Sequence, residues 1–182
     1  MSSTQLPPLR RVVTAHDHQG LAVVDSDMLL ESERMEVAPG VRAASIWLTT
    51  GGLPVDDNNN PEDGAKRPIE DTSNFGIVHP SGTNVRSTEL GPGAFAPMHR
   101  TSSLDYNILV SGTLILITED GTQTLLKNPG DTVIQKGTMH AWKNPSDTQP
   151  VRWITVLVAA KPATVNGEPL KPEIIAGEPK SL

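Results

Sequence analysis

The chain contains no cysteine. That absence removes disulfide scaffolds, thiolate metal sites and cysteine nucleophiles together, and it agrees with a reducing compartment. Aromatic residues are scarce, at 3% of 182 residues, so branched aliphatics must fill most of the core. No apolar run approaches the roughly 20 residues that a membrane-spanning helix needs. The opening MSSTQLPPLRR lacks the apolar stretch of a secretory signal. The expectation is a cytoplasmic protein with no membrane partner. Positive charge is not in excess either: the formal net charge is −6, and no basic stripe runs along the chain. Such a surface repels phosphate backbones, which excludes nucleic acid as a partner. There is no G-x-S-x-G for a hydrolase nucleophile elbow and no G-x-x-x-x-G-K-[ST] phosphate loop. Gly91-Pro92-Gly93 forms a turn and does not open a helix, so no nucleotide cofactor is expected.

Gly and Pro are plentiful, at 15 and 16 residues, and they punctuate short β-branched runs. No long stretch has helical periodicity and no segment repeats. This pattern predicts an all-β sandwich or barrel. Residues 10–14 and 21–25 flank a polar AHDHQG turn and read as a hairpin; 42–49 is a further strand. A polar, acidic, turn-rich segment follows from 51 to 74, the composition of a lid, binding loop or disordered stretch. Further strands are expected at 75–79, 83–90, 95–100, 106–111, 113–118, 122–127, 131–135, 139–144 and 151–160. Asp120-Gly121 supplies the positive φ of a tight hairpin. About nine such strands can close into a barrel without exposed edges. The organisation expected is one domain: N-terminal strands and a long loop over 1–74, a barrel over 75–160, and a proline-rich C-terminal arm over 161–182.

Two of the five histidines sit in informative contexts. GPGAFAPMHRTSSLDYNILVSG, residues 91–112, carries His99, Thr101 and Asp105 ahead of Gly112. PGDTVIQKGTMHAWKN, residues 129–144, carries Gly137, His140 and Asn144. These segments resemble the two motifs of the cupin superfamily. The first is commonly written G-x5-H-x-H-x3,4-E-x6-G, and Gly93, His99, Thr101, Asp105 and Gly112 keep its spacing throughout. Thr101 stands where the second His belongs, and Asp105 where Glu belongs. The second is commonly written G-x5-P-x-G-x2-H-x3-N. Here Gly137, His140 and Asn144 match, Gln135 replaces the Pro, and the spacing from Gly130 is one residue shorter.

The resemblance covers roughly residues 75–160 and implies a single-domain cupin, a jelly-roll β-barrel (double-stranded β-helix) with an N-terminal β arm. The wider text resembles small single-domain cupins of bacteria and filamentous fungi. Some of these are encoded beside polyketide pathways and described as oxidoreductases. Members often form homodimers by exchanging N-terminal strands, so a homodimer is expected.

His99 and Thr101, two apart on a strand, can face one interior, and His140 arrives from a distant strand. With Asp105 they resemble a 2-His-1-carboxylate site, which would hold Fe, Mn, Ni or Zn as a divalent metal. The metal ligands expected are therefore His99, Asp105 and His140. The catalytic residues expected are His99, His140 and Tyr106, the only tyrosine. Substrate contacts are expected from Met98, Thr101, Gln135 and Trp142. Phe95, Met98, Ile108 and Met139 point to a partly apolar ligand. The bland alternative keeps both histidines as hydrogen-bonded core residues, Asp105 as a turn cap and Thr101 as filler. His79 is a pocket or strand-end residue, His16 and His18 belong to a solvated turn, and Trp47 and Trp153 to the core. The function expected is a small-molecule enzyme, either a metal-dependent oxidoreductase or a lyase of the decarboxylase or dehydratase kind. Its substrate would be polyketide-like or otherwise oxygen-rich. The alternative is a barrel that binds a small ligand without turnover.

Overall fold

The computed structural model describes residues 6–16, 22–36 and 40–176. Among the described residues fifteen strands follow one another: β1 (Leu9–His16), β2 (Ala22–Leu30), β3 (Glu33–Arg34), β4 (Val41–Leu48), β5 (Thr83–Leu90), β6 (Phe95–Arg100), β7 (Ser103–Ser111) and β8 (Leu114–Thr118). The series continues with β9 (Gln123–Leu126), β10 (Thr132–Lys136), β11 (His140–Lys143), β12 (Val151–Ala159), β13 (Thr164–Val165), β14 (Glu168–Pro169) and β15 (Glu173–Ile175). One 3₁₀ turn, Gly64–Lys66, is the sole helical element among the described residues. No helix among them is long and apolar enough to cross a membrane.

Two sheets form the barrel. One has six strands in the order β10-β7-β12-β5-β4-β3, the other five in the order β15-β6-β11-β8-β9. The chain passes between them at Thr101 and Ser102, where β6 ends in one sheet and β7 begins in the other. Gly112, at φ 81°, makes the turn that returns the chain from β7; a Cβ there would lie 2.7 Å from the Pro150 carbonyl oxygen, so only glycine fits. The Asp120-Gly121 hairpin joins β8 to β9 as expected, with Gly121 at φ 83°.

Side-chain alternation fills the space between the sheets. Leu90, Leu109, Leu114, Leu126, Val151, Trp142 and Trp153 form its main apolar cluster. Asn144 is fully buried, and its side-chain N–H groups donate to the carbonyls of Leu90, Gly91 and Gln149. The second-motif Asn thus ties three chain segments beneath the barrel.

The arms on either side of 75–160 complete this barrel. β4 pairs with β5, and β15 pairs with β6, from opposite ends of the sequence. β1 and β2 pair as the expected hairpin in a sheet of their own, while their connecting turn and His18 lie outside the described residues. Segment 51–74 is tied down by charge. Arg11 holds Asp63 through two bonds of 2.7 and 2.8 Å, and Arg67 bonds Asp57, Glu62 and the Leu48 carbonyl. Trp47, expected in the core, instead donates to Asp57 at 2.6 Å, with Arg11 and Arg67 over its ring.

Residues 75–79 do not form the strand expected of them. Phe75 and Gly76 both take positive φ, at 58° and 68°, and turn the chain where β5 has not yet begun. A run of apolar residues without alternation does not separate a buried turn from a strand.

Candidate active site

A cavity of about 450 Å³ opens between the two sheets. The five-stranded sheet contributes Ala96, Pro97, His99, His140, Trp142 and Ile174; the six-stranded sheet faces them with Arg86, Thr88, Asp105, Asn107, Trp153, Thr155 and Leu157. Thr72, Phe75 and Ile77 reach in from the long loop and the turn after it.

The histidines meet because β6 and β11 are adjacent and His140 pairs directly with His99. The register then slips, so that Trp142 pairs with Ala96 and two residues of β6 stand opposite Ala141. This bulge lets Ala96 and His99, three apart, share the inner face, which strict alternation forbids. The imidazole centroids lie 4.2 Å apart, the planes inclined at 49°. Trp142 meets His140 edge-on at 5.6 Å and carries the stack on to Trp153.

Each imidazole is fixed by its own strand. His99 Nδ1 lies 2.7 Å from the Pro97 carbonyl oxygen, and His140 Nδ1 lies 3.0 Å from that of Thr138. A carbonyl only accepts, so each Nδ1 carries the hydrogen and each Nε2 keeps its lone pair. Burial lowers the pKa of both rings. His140 is pushed down to about 3, by burial first and then by the charge of His99 beside it. Burial also lowers His99, against the pull of the Pro97 carbonyl. Both rings are therefore neutral at pH 7, with two unprotonated nitrogens available as bases or ligands.

Asp105 lines the same cavity from the opposite sheet. Gln135, its partner on β10, donates to its Oδ2 at 3.3 Å, while Oδ1 is buried without a partner. Burial raises this carboxyl to about 6, with the Ser103 hydroxyl acting against the rise. Thr101 is buried at the crossing between the sheets and shares a 2.8 Å hydrogen bond with Ser103.

Several expected site residues fall elsewhere. Tyr106 alternates with Asp105 and Asn107, so it stands on the outer face of β7 and is 38% exposed. Met98, Met139 and Phe95 pack with Ile117 and Ala141 in a second cluster on the other face of the five-stranded sheet. Ile108 also misses the cavity wall, which takes its apolar character from Val41, Leu157, Ile174 and the two tryptophans. Gln135 touches Asp105 rather than the lumen. His79 accepts from the Ser81 N–H and lines a separate surface pocket with Glu62 and Arg67. The side chain of His16 lies outside the described residues.

The expected metal triad is not formed. Among the described residues no three His, Asp or Glu side chains converge closely enough to hold a metal ion. Two features of the chain bear on this: the Asp at the Glu position is one methylene shorter, and Thr101 replaces the second motif His. The donor set present, His99 and His140, does not make up the three-residue site.

Arg86 was not singled out by any motif. It sits on β5, lines the cavity and has no hydrogen-bond or ion-pair partner among the described residues. Burial lowers its pKa from the ordinary range, and no neighbouring carboxylate acts against that shift. Only its alternation with Asn84 and Thr88 on a strand whose inner face is now known could have found it.

Comparison with known proteins agrees with this fold. Residues 86–157 match the family model described as the cupin domain. The phomopsin biosynthesis cluster protein D of Diaporthe leptostromiformis is 32% identical over 171 residues, covering 91% of this chain and 86% of that protein. The polyketide cyclase RemF of Streptomyces resistomycificus shares the fold with a TM-score of 0.50 at 14% identity, over 84% of this chain and 83% of that one. The cupin-domain-containing oxidoreductase srdB of Neurospora crassa is also 32% identical, over 88% of this chain and 78% of that protein. On fold, motif and sequence together, this chain belongs to the cupin family.

Proposed function

We propose that this protein is an enzyme of secondary metabolism, an oxidoreductase or lyase, that removes a proton from an oxygenated and partly apolar small molecule. The observation that carries this reading is the pair of neutral imidazoles, 4.2 Å apart in the cavity, each locked in the tautomer that leaves Nε2 unprotonated. The names of two relatives, one a biosynthesis cluster protein and one a cupin-domain-containing oxidoreductase, support the same setting.

The two rings take different parts. The first proton to arrive settles on His99, because His140 is the more deeply buried and is pushed down to about 3. His99 Nε2 is therefore the general base, and His140 Nε2 accepts a hydrogen bond from a substrate hydroxyl and holds it in place. On the opposite wall Asp105, raised to about 6, is a carboxyl that still carries its proton in mildly acidic solution. In an elimination it returns a proton to the leaving oxygen, while the electron pair left by the proton on His99 becomes the new double bond. Oxidation of the same carbon would share the proton transfer to His99 and would pass the electron pair to an external oxidant such as dioxygen, which leaves as hydrogen peroxide. Proton transfer by these side chains carries the elimination.

Deleting the gene in its host and comparing extracts by mass spectrometry will identify the substrate as the metabolite that accumulates. Complementation with His99→Gln is expected to leave that metabolite unconverted, a loss of at least ~100-fold in turnover for a general base. The acid limb of turnover against pH is expected below 6.5, the ordinary imidazole value, since burial lowers His99. Full conversion by both His99→Gln and His140→Gln would refute the proposal.

A further inference from the structure

The wall opposite the histidines carries charge with nothing to receive it. One rung of the six-stranded sheet runs Arg86, Thr155, Asn107 across β5, β12 and β7. All three side chains line the cavity. Thr155 Oγ1 donates to Asn107 Oδ1 at 2.7 Å, which leaves the Nδ2 of that amide as its free donor. That Nδ2 is buried and has no acceptor, and the Arg86 guanidinium has no partner among the described residues. A buried donor without an acceptor costs roughly 1–3 kcal/mol, and a charged one more. Asn107 Nδ2, buried, and the partly buried Arg86 guanidinium on the cavity wall put two unpartnered donors on one rung.

Two buried arginines of the six-stranded sheet and its loop are neutralised by carboxylates. Arg152 bonds Glu89 at 2.6 Å, and Arg67 bonds Asp57 at 2.9 Å. Arg86 alone of these three meets the cavity instead of a carboxylate. Around it the lining is apolar: Val41, Ile77, Leu157, Trp153. The geometry points to an organic carboxylate as the ligand of this cavity, its two oxygens taken by the Arg86 fork and by Asn107 Nδ2, its apolar body lying toward the tryptophans and the histidine pair. A planar guanidinium matches a carboxylate through two parallel hydrogen bonds, which a neutral oxygen does not use. Asp105, on the same wall, sets the opposite requirement: above about pH 6 its carboxyl is ionised and disfavours a second anion. The substrate class is thus a partly apolar monocarboxylic acid. This assignment rests on the cavity being the active site proposed above.

Two probes of one shape test it, 2-naphthoate and 2-naphthamide, titrated by calorimetry into the full chain. Wild type is expected to bind the carboxylate at least tenfold more tightly than the amide. Arg86→Met should abolish that preference and leave amide affinity unchanged, which also shows that the cavity is intact. Arg86→Lys should restore part of it, and Asn107→Leu should reduce it. His99→Gln should leave the preference in place, so loss of turnover in that variant and loss of carboxylate selection in Arg86→Met are read separately. Equal affinity of wild type for the two probes would overturn the assignment. So would a preference that survives Arg86→Met, or naphthoate that fails to bind at millimolar concentration.

Discussion

Asp105 shows how one buried atom sets the behaviour of a site. Its carboxyl is raised to about 6 by burial, so the folded protein holds a proton there that the unfolded chain releases near 3.8. A raised carboxyl lowers stability as pH climbs through that window, because the native state must then ionise a buried group. Asp105→Asn keeps the shape and the bond to Gln135 and removes the charge. It is expected to raise stability by about 3 kcal/mol at pH 8 and by little below pH 4, measured as denaturant unfolding at the two pH values. An equal gain at both would mean that Asp105 is not the buried acid described. The histidines act in the opposite sense. Lowered by burial, they remove stability as pH falls below the ordinary imidazole value of 6.5, since only the unfolded chain then gains the protons.

At the scale of the element, the terminal strand β15 does more than its three residues suggest. It covers the outer edge of β6, with Ile174 paired to His99 and in the cavity wall. Truncation after Leu170 is expected to expose that edge and accelerate amide exchange at Met98–Arg100, measured by hydrogen–deuterium exchange with mass spectrometry. Unchanged exchange in β6 would show that β15 adds nothing to the placement of His99. Such effects are where sequence reading stops. The strands from 83 to 160 were legible because turn residues bracket β-branched runs, and the meeting of His99 with His140 was legible from motif spacing. The parity of β7 was legible in principle too, since Asp105 and Tyr106 are neighbours and a strand cannot point both inward; placing both in the site ignored that rule. The bulge in β6, the arrival of β15 from the proline-rich tail and the turn at Phe75 were not legible. Each depends on pairing between distant segments rather than on local pattern. Arg86 was invisible for the same reason: a lone arginine in TNVRSTEL is ordinary until its strand is given neighbours.

The whole molecule places its apolar surface unevenly. Val24 and Leu29 on the free β1–β2 hairpin are 62% and 64% exposed, and Ile134 stands 52% exposed on the outer face of β10. We propose, on this distribution, a homodimer that buries the hairpin against a second copy. Light scattering is expected to give twice the chain mass of 19.5 kDa, and a mass of 19.5 kDa would set the dimer aside.

The crossing at Thr101 and Ser102 has a consequence for how such a protein changes over generations. In the proposed mechanism the imidazole bases stand on the five-stranded sheet and Arg86 and Asp105 on the six-stranded one, and Thr101 and Ser102 form one of several short passages that join the two. Substitutions at 86, 88, 107 and 155 can therefore redirect what the cavity admits while the imidazoles keep their posture. A lineage built this way diversifies its substrates without reinventing its reaction.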